Sequence, residues 1–302
     1  MQKLKKIVVF GKDGQLGKAF QKVLFNNLNV IFLGRQDCDL SKTEHIKFVL
    51  EKYQPNIIIN ASAYTAVDKA EQEQDLANLV NGEAPKVMAE YISCVSQGIL
   101  MHYSTDYVFD GSKKSPYQEN DSTNPLGQYG KSKLIGEEAI KRAFSQIQQN
   151  YNSQYYILRT SWVYGEGGNF IRTMLKLASE QEQLKVISDQ YGVPTSAEWL
   201  TQISLKILDQ QILSGIYHTV PNGETSWYEL AKLAIKTAIQ EDAIVKIMPE
   251  AIQAIPATEY PLPAPRPYNS RMNNEKLKLA LKEDFPIWEN QVEEYVKNFL
   301  AK

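Results

Sequence analysis

The sequence is poor in cysteine and histidine, with two Cys and three His among 302 residues. Cys38 and Cys94 are too few and too far apart for a disulfide framework or a CxxC metal site. The scattered histidines argue against a structural zinc site. A chain of this length buries enough surface to form a core without such cross-links. We therefore expect a reduced, cytoplasmic protein without a metal centre.

The sequence also lacks an excess of charge of one sign. It has 33 Lys and Arg against 35 Asp and Glu, a net charge of −2, and it has no basic stripe. This balance argues against wholesale nucleic-acid binding. No apolar run approaches the roughly 18 residues of a membrane span, and the apolar stretch near the N-terminus, IVVF, is too short for a signal peptide. We expect a protein that binds neither nucleic acid nor membrane.

Short β-branched runs alternate with longer amphipathic stretches in the first half of the chain. This alternation predicts a parallel sheet with right-handed crossovers. The apolar runs are continuous, as is typical of strands buried on both faces. The fold class is therefore α/β, a doubly wound parallel sheet of the Rossmann type. The predicted strands are KIVVF (6–10), NVIFL (29–33), NIIIN (56–60), GILMHYS (98–104) and YYILRTS (155–161), and the predicted helices are 15–25, 43–53, 83–97 and 128–144.

The second half is less regular and predicts a smaller, mixed α/β lobe. We expect residues 1–162 to form the Rossmann domain, completed by parts of 184–240, and residues 163–302 to form most of a discontinuous C-terminal lobe. Segment 255–270 carries five of the 13 prolines. Because helices are predicted after it, we expect an ordered, extended loop rather than a linker. The helical patterns are 169–182, 196–211, 226–240, 273–282 and 287–300, and the strand-like runs are LKVIS (184–188) and GIYHTV (215–220).

A glycine-rich turn follows the first predicted strand. Gly11, Gly14 and Gly17 stand at GxxGxxG spacing, and a helix is predicted to begin behind them. Glycines there permit a tight turn and bring the backbone close to a pyrophosphate, which the helix N-terminus then holds. This context of strand, turn and helix favours dinucleotide binding. The alternative is a turn that merely closes the first crossover.

The tip of the second predicted strand indicates which nicotinamide dinucleotide binds. An acidic residue there contacts a ribose 2′-hydroxyl, whereas a basic one contacts a 2′-phosphate. The sequence has Gly34 and Arg35 at the tip, with no Asp or Glu beside them, which favours NADPH. The alternative is a solvated surface arginine. Asp39 and Leu40 follow, and they suit the edge and the ring face of an adenine.

Tyr129 and Lys133, in the motif QYGKSK, form the strongest chemical pattern. On a helix they lie one turn apart on one face, which places an ammonium beside a phenol. A neighbouring cation would lower the pKa of the tyrosine and make it a workable proton donor. Upstream, the fourth strand ends at Ser104 and Thr105, whose hydroxyls could hold a substrate oxygen. An exposed helix face would explain YxxxK alone.

Longer stretches resemble the extended short-chain dehydrogenase/reductases, and within them the branch that reduces 4-keto nucleotide sugars. The resemblance spans nearly the whole chain in order. The motifs TAVDKAE, STDYVF and RTSWVYG together are specific to that branch. The stretches that carry the resemblance are FGKDGQLG (10–17), NASAYTAVDKAE (60–71), HYSTDYVFDG (102–111), YGKSKLIGE (129–137), RTSWVYGEGGNF (159–170), ISDQYGVPT (187–195) and RPYNSRM (266–272).

The resemblance implies hydride transfer from NADPH, with NADH as a possible substitute, to the C4 ketone of a dTDP-bound 6-deoxy-hexulose. The product would be dTDP-L-rhamnose, a precursor of cell-surface polysaccharide. The implied triad has Tyr129 protonating the developing alkoxide, Thr105 hydrogen-bonding the ketone, and Lys133 holding the cofactor ribose. The Rossmann domain would bind NADP, and the C-terminal lobe would bind the sugar nucleotide.

The resemblance also implies binding residues around the triad. The implied cofactor contacts are Gly14, Gln15, Leu16, Asp39, Leu40, Ala63, Tyr64, Thr65 and Tyr103, in addition to Gly11 and Arg35 from the patterns above. The implied contacts to the dTDP-sugar are Val67, Asp106 and Trp162, with Arg266 meeting the diphosphate.

This chain departs from the family pattern at two places. The family often has an acidic residue at the second strand tip, where this chain has Gly34 and Arg35. Some members also bind Mg²⁺ at a dimer interface through carboxylates, one of them in the first helix. This chain has Lys18 and Ala19 in that helix. We therefore expect no metal-linked dimer, and either a monomer or a homodimer is compatible with the sequence.

Two other functions are compatible with parts of the pattern. A nucleotide-sugar 4-epimerase or dehydratase uses the same triad with bound NAD, but a dehydratase needs a glutamate after Asp106, where this chain has Tyr107. A non-catalytic NADP-binding regulatory subunit would not need Tyr129 and Lys133 together.

His102 lies near the cofactor by position, yet packing in a strand explains it equally well.

Overall fold

A parallel six-stranded sheet lies at the centre of the chain in our computed structural model, which describes residues 5–146 and 151–301. The five strands predicted in the first half are all confirmed, within one residue at either end. The strands are β1 (Ile7–Phe10), β2 (Val30–Leu33), β3 (Ile57–Asn60), β4 (Ile99–Thr105), β5 (Gln154–Thr160), β6 (Val163–Tyr164), β7 (Lys185–Ile187), β8 (Tyr191–Gly192), β9 (Thr195–Ser196), β10 (Gly215–His218), β11 (Thr225–Ser226) and β12 (Gln253–Ile255).

Helices cover the sheet and build the second lobe, and all nine predicted helices are present. None of the helices within the described residues is both long and apolar enough to cross a membrane. The α-helices are α1 (Gln15–Leu24), α2 (Thr43–Tyr53), α3 (Val67–Ala70), α4 (Gln74–Asn78), α5 (Ala84–Ser93), α6 (Gln128–Ser145), α7 (Phe170–Glu180), α8 (Ala197–Gln210), α9 (Trp227–Gln240), α10 (Glu275–Leu281) and α11 (Trp288–Leu300).

The order of the strands places a crevice at one edge of the sheet. The order is β10-β5-β4-β3-β1-β2, and each neighbouring pair is parallel. Strand β2 lies on one side of β1, whereas β3, β4, β5 and β10 follow one another on the other side, so the strand order reverses at β1. Ligands of such sheets bind outside the carboxyl ends of the strands at this reversal. The loops after β1, β2, β3 and β4 therefore form the expected binding edge.

Alternate residues of each strand enter two separate cores, one on each face of the sheet. Val8 and Phe10 pack with α2, α5 and α6, whereas Val9 packs with α1, α8 and α10. In β3, Ile58 faces the first of these cores and Ile59 the second. Successive side chains point to opposite faces of the sheet, and both faces are covered by an apolar core. The strands therefore appear in the sequence as continuous apolar runs.

The second lobe has its own core, formed mainly by α7, α9 and α11 with the small parallel pair β7 and β12. Most of the strand-like run at 215–220 belongs to the main sheet, because β10 pairs with β5 and becomes its outer strand, whereas Val220 enters the core of the second lobe. The proline-rich loop is tied to the lobe at Tyr191, whose backbone N–H donates to Tyr268 and whose carbonyl accepts from Ser270. The segment lies on the folded body as expected, although it is not extended throughout, because Ala257–Glu259 form a 3₁₀ turn.

The core assignment can be tested with two leucines. Leu100 of β4 is 0% exposed, whereas Leu28 is 99% exposed. We expect Leu100→Ala to lower the free energy of unfolding by about 2–5 kcal/mol, because it removes packed methyl groups and leaves a cavity. We expect Leu28→Ala to change it by less than about 0.5 kcal/mol. Urea unfolding followed by circular dichroism measures both, and equal losses would contradict the placement of Leu100.

Candidate active site

A sharp glycine turn after β1 opens the candidate site. Gly11 has a φ of +91°, and a Cβ there would lie 2.6 Å from the carbonyl oxygen of Ala61, so only glycine fits. A Cβ on Gly17 would overlap the carbonyl oxygen of Gly11. Helix α1 begins at Gln15 with Gly14 as its N-cap, and no side chain among the described residues caps it. Its first backbone N–H groups are therefore available to a phosphate.

Two adjoining cavities of about 500 and 420 Å³ extend from this turn along the carboxyl edge of the sheet. They share the backbone at Gly11, Gly34 and Ser62. Every residue predicted to contact the cofactor lines at least one of them. These residues are Gly11, Gly14, Gln15, Leu16, Arg35, Asp39, Leu40, Ala63, Tyr64, Thr65, Tyr103, Tyr129 and Lys133.

Four charged side chains lie near the tip of β2. Arg35 is exposed and lines both cavities. The Nζ of Lys12 lies 2.5 Å from Oδ2 of Asp37, which also accepts the backbone N–H of Gly34 at 2.9 Å. A Cβ on Gly34 would overlap the carboxylate of Asp13. The sequence has no carboxylate directly at this tip, but the fold brings two, because the glycine turn and the loop after β2 converge.

The predicted triad lies where β4 ends beside the start of α6. The Thr105 hydroxyl donates to Oδ1 of Asp106 at 2.9 Å and accepts from the backbone N–H of Tyr107 at 3.1 Å. Tyr129 stands in the first turn of α6, with its ring edge-on to that of Tyr107 at 6.0 Å between centroids. Lys133 follows one turn later. The larger cavity is lined by Tyr129 and Lys133, whereas Thr105 is buried directly after Ser104 and lines neither cavity.

The acidity of Tyr129 differs from the expectation. Burial and the charge of Asp106 raise the pKa of Tyr129 to about 12, and the Thr105 hydroxyl offsets this only in part. The predicted lowering of this pKa by Lys133 is wrong for this structure, because Lys133 Nζ instead donates to the carbonyl oxygen of Tyr103 at 2.5 Å. A phenol with this pKa is protonated at neutral pH, as a proton donor must be.

A buried ion pair holds α6 against β4 and β5 at the level of the triad. Glu137 is 0% exposed and lies one turn beyond Lys133. Its carboxylate binds Arg159 of β5, with distances of 2.7 Å from Nη2 and 3.0 Å from Nε. The hydroxyl of Ser104 donates to the same carboxylate at 2.5 Å. Burial lowers the pKa of Lys133 to about 8, and the charge of Glu137 opposes this shift.

Asp106 is a second unusual carboxylate near the triad. It is buried, and burial raises its pKa to about 6. Its Oδ2 has no hydrogen-bond partner among the described residues. An unpaired buried acceptor costs about 1–3 kcal/mol, which a ligand hydroxyl could recover. In the described part of the chain, no group of three or more His, Cys, Asp or Glu is placed to hold a metal ion.

Of the residues predicted to contact the substrate, only Tyr129 lines either of the two cavities, whereas Val67, Thr105, Asp106, Trp162 and Arg266 line neither. Arg266 forms a two-point ion pair with Asp68, the neighbour of Val67 in α3, at 2.6 and 2.7 Å. Trp162 has a φ of +48° and stacks on Trp227 with 3.6 Å between ring centroids. It lines a separate cavity of about 120 Å³. The structure thus brings Val67 and Arg266 close together but packs Trp162 against the core of the second lobe.

Several charged groups of the site were missed by the sequence analysis. Lys12 stands inside the glycine turn, so that motif could have revealed it. Glu137 stands four residues after Lys133, a spacing that places both on one helix face. No local pattern indicated Arg159. It reaches Glu137 because β4 and β5 pair in parallel with Ser104 opposite Arg159, and this register cannot be recognised from nearby residues.

Comparison with known proteins gives one consistent family. The family model described as RmlD substrate binding domain matches residues 5–301. A dTDP-4-dehydrorhamnose reductase from Escherichia coli (strain K12) is 41% identical over 292 residues, covering 94% of each chain. A crystal structure of a dTDP-4-dehydrorhamnose reductase from Clostridium acetobutylicum has a TM-score of 0.88 at 35% identity, covering 98% of this chain and 100% of that one. Another from Bacillus anthracis, in complex with NADP, has a TM-score of 0.85 at 31% identity, covering 99% of each chain.

The buried ion pair predicts an unequal response to single and double substitutions. We expect Arg159→Met to lower the free energy of unfolding by about 3–5 kcal/mol, because it leaves the Glu137 carboxylate buried without its partner. The double variant Glu137→Met with Arg159→Met removes both charges, so it should lose less than the single variant. Urea unfolding of the three proteins measures the difference. A double variant less stable than Arg159→Met would contradict this account.

Proposed function

Since the chain belongs to the RmlD substrate binding domain family, we propose that it reduces the C4 ketone of dTDP-4-dehydro-6-deoxy-L-mannose with NADPH. The product is dTDP-L-rhamnose, a sugar donor for cell-surface polysaccharide. The observation that carries the proposal is the placement of Tyr129 and Lys133 in a cavity that also reaches the start of α1, with the buried Thr105 hydroxyl beside Tyr129. The similarity to several dTDP-4-dehydrorhamnose reductases supports it.

The cleft fits a nicotinamide dinucleotide along its whole length. Its glycines leave space that a Cβ would fill at Gly11 and Gly17. The backbone N–H groups of Gln15 and Leu16 would hold the pyrophosphate, whereas that of Gly14 donates to the carbonyl oxygen of Gly11. The smaller cavity, which Asp39 and Leu40 line, would take the adenine. Ala63, Tyr64, Thr65 and Tyr103 would line the path between the two ends. The bound nicotinamide supplies the hydride to C4.

Preference for NADPH follows from the positive charge at the tip of β2. Arg35 is exposed at the point where the two cavities meet, so its guanidinium can bind a 2′-phosphate at two points. Lys12 adds a second cation beside it. Asp37 holds Lys12 in place, and Asp13 contributes an opposing charge. NADH would therefore bind the same site more weakly rather than be excluded.

The proton for the reduced oxygen comes from Tyr129. Its pKa of about 12 keeps the phenol protonated at neutral pH, so it can donate to the alkoxide that develops at C4. The Thr105 hydroxyl, which donates to Asp106 in this structure, turns to donate to the ketone oxygen. Lys133 would hold the nicotinamide ribose. Together these groups position the ketone and compensate its charge as the hydride arrives.

The sugar nucleotide would lie between the Rossmann domain, residues 1–162 with β10 added, and the C-terminal lobe within residues 163–302. Asp106 would bind a sugar hydroxyl through its unpaired Oδ2, and Val67 would pack nearby. The Arg266 guanidinium would bind the diphosphate, which would compete with Asp68 for it. Trp162, at the end of the Rossmann range, packs against the core of the lobe and offers a flat apolar face.

Replacing the proton donor tests the proposed reaction. With dTDP-4-dehydro-6-deoxy-L-mannose as substrate, we expect Tyr129→Phe to lower kcat by about 10²–10⁴-fold, because the ring remains and only the proton is lost. The Kd for NADPH should stay nearly unchanged. Loss of NADPH absorbance gives the rate, and fluorescence titration gives the Kd. Tyr53→Phe, in α2 away from the cleft, is the matched control.

Several results would contradict the proposal. A wild-type protein that leaves NADPH unoxidised in the presence of this substrate is not this reductase. Unchanged turnover in Tyr129→Phe would remove Tyr129 from the mechanism. Tightly bound NAD⁺ in stoichiometric amount would indicate an epimerase or dehydratase instead, and NADP binding without any turnover would indicate a regulatory subunit.

Arg35 can be tested separately as the group that distinguishes the two cofactors. We expect Arg35→Ala to raise KM for NADPH by about tenfold or more, since a charge-assisted pair to phosphate contributes about 1.5–3 kcal/mol. KM for NADH should change little, because NADH has no phosphate at that position. Arg142→Ala, an exposed arginine on α6, is the control. Equal losses with both cofactors would show that Arg35 does not bind the 2′-phosphate.

A further inference from the structure

His102 is a buried titratable group that the proposed mechanism does not use. It is 1% exposed and lies on β4, two residues before Ser104. Its Nε2 lies 3.3 Å from Nζ of Lys133, and its Nδ1 lies 3.1 Å from Nδ2 of Asn60 on β3. Both ring nitrogens are therefore engaged, and one of them contacts a member of the triad.

The neighbours of Asn60 determine which ring nitrogen of His102 carries the hydrogen. The backbone N–H of Ser62 donates to Oδ1 of Asn60 at 3.2 Å. A backbone N–H can only donate, so Oδ1 must face Ser62 and the NH₂ group must face His102. Nδ1 of His102 then accepts a hydrogen bond. Burial and the charge of Lys133 hold the pKa of His102 well below its usual value, so the ring is neutral and its hydrogen is on Nε2.

An Nε2–H group pointing at Lys133 has a direct consequence for that lysine. An ammonium has only donors, so two donors would face each other across 3.3 Å. A neutral amine has one lone pair, which can accept from Nε2–H while an N–H donates to the carbonyl oxygen of Tyr103 at 2.5 Å. The arrangement of hydrogen bonds thus favours the neutral form of Lys133.

We propose that His102, with its tautomer set by Asn60, is a positioning residue. It donates a hydrogen bond to Lys133 and thereby makes the Lys133 ammonium easier to deprotonate. The proposal rests on the proposed role of Lys133 in the reduction. It assigns to the pair Asn60–His102 the control of the pH range in which Lys133 is charged.

The other titratable groups near Lys133 either favour its charged form or keep the same charge while it titrates. Glu137, on the same helix, favours the charged lysine, but its carboxylate is already shared by Arg159 of β5 and Ser104 of β4. Tyr129, also on α6, has a pKa of about 12, so it remains neutral over the range in which Lys133, with a pKa of about 8, titrates. An alkaline fall in activity near pH 8 therefore reports on Lys133.

The tautomer can be observed without any enzymatic assay. The chain has only three histidines, so ¹⁵N-labelled histidine gives few signals, and the His102→Phe spectrum identifies those of His102. We expect long-range ¹H–¹⁵N correlation spectra of the wild-type protein to show a protonated Nε2 and an unprotonated Nδ1. A protonated Nδ1 in the wild type would overturn the proposal, whatever the substrate of the protein proves to be.

Asn60→Asp tests the functional consequence. A carboxylate has only acceptors, so Nδ1 must carry the hydrogen and Nε2 must offer its lone pair to the Lys133 ammonium. We expect the alkaline limb of kcat/KM to move up by about one pH unit or more. In the double variant with His102→Phe, only the distant carboxylate charge remains, so the shift should be much smaller.

Two outcomes of the measured pH dependence of kcat/KM would overturn the proposal. One is an alkaline limb that does not move in Asn60→Asp although the NMR spectra show the altered tautomer. The other is an equal shift in the single and double variants, because the carboxylate charge alone would then explain it. Failure of the wild-type protein to oxidise NADPH with the keto-sugar would instead contradict the proposed function.

Discussion

The burial of Lys133 is the constraint around which the site is arranged. An ammonium removed from water must be compensated nearby, or it loses its proton. Here the compensation comes from the Tyr103 carbonyl and from Glu137. Glu137 is itself buried and requires Arg159. Lys133 contacts β4 through Tyr103, and Glu137 contacts β4 and β5 through Ser104 and Arg159, so two buried charged residues of α6 fix this helix against two strands of the sheet.

A nearly neutral protein can bind two polyanions, as we propose, when its few positive groups face the cleft. The net charge of −2 describes the whole surface, whereas the positive potential is concentrated at a few points of the cleft. The N-terminus of α1 contributes partial charge without any basic side chain. Arg35 and Lys12 lie at the tip of β2, where Asp37 pairs with Lys12, and Arg266 pairs with Asp68. The overall composition is thus a poor guide to local charge.

The long elements were predictable, and the short ones were not. Strands β1 to β5 appear in the sequence as continuous apolar runs, and helices such as α6 have enough residues for their period to appear. Segment 67–83 folds into α3, α4 and a π-helical turn, none longer than five residues, so no period can be recognised there. Two-residue strands such as β6 and β8 exist only because a partner lies opposite. Their stability comes from pairing and not from local preference.

The sequence by itself determined the glycine turn, the spacing of Tyr129 and Lys133, and the end of β4 at Thr105, because each depends on residues close together in the chain. Only the tertiary structure decided the protonation of these groups. The pKa of Tyr129 depends on burial and on Asp106, and that of Lys133 depends on burial against Glu137. Desolvation and charge are properties of the surroundings of a side chain, and segments far apart in the sequence supply those surroundings.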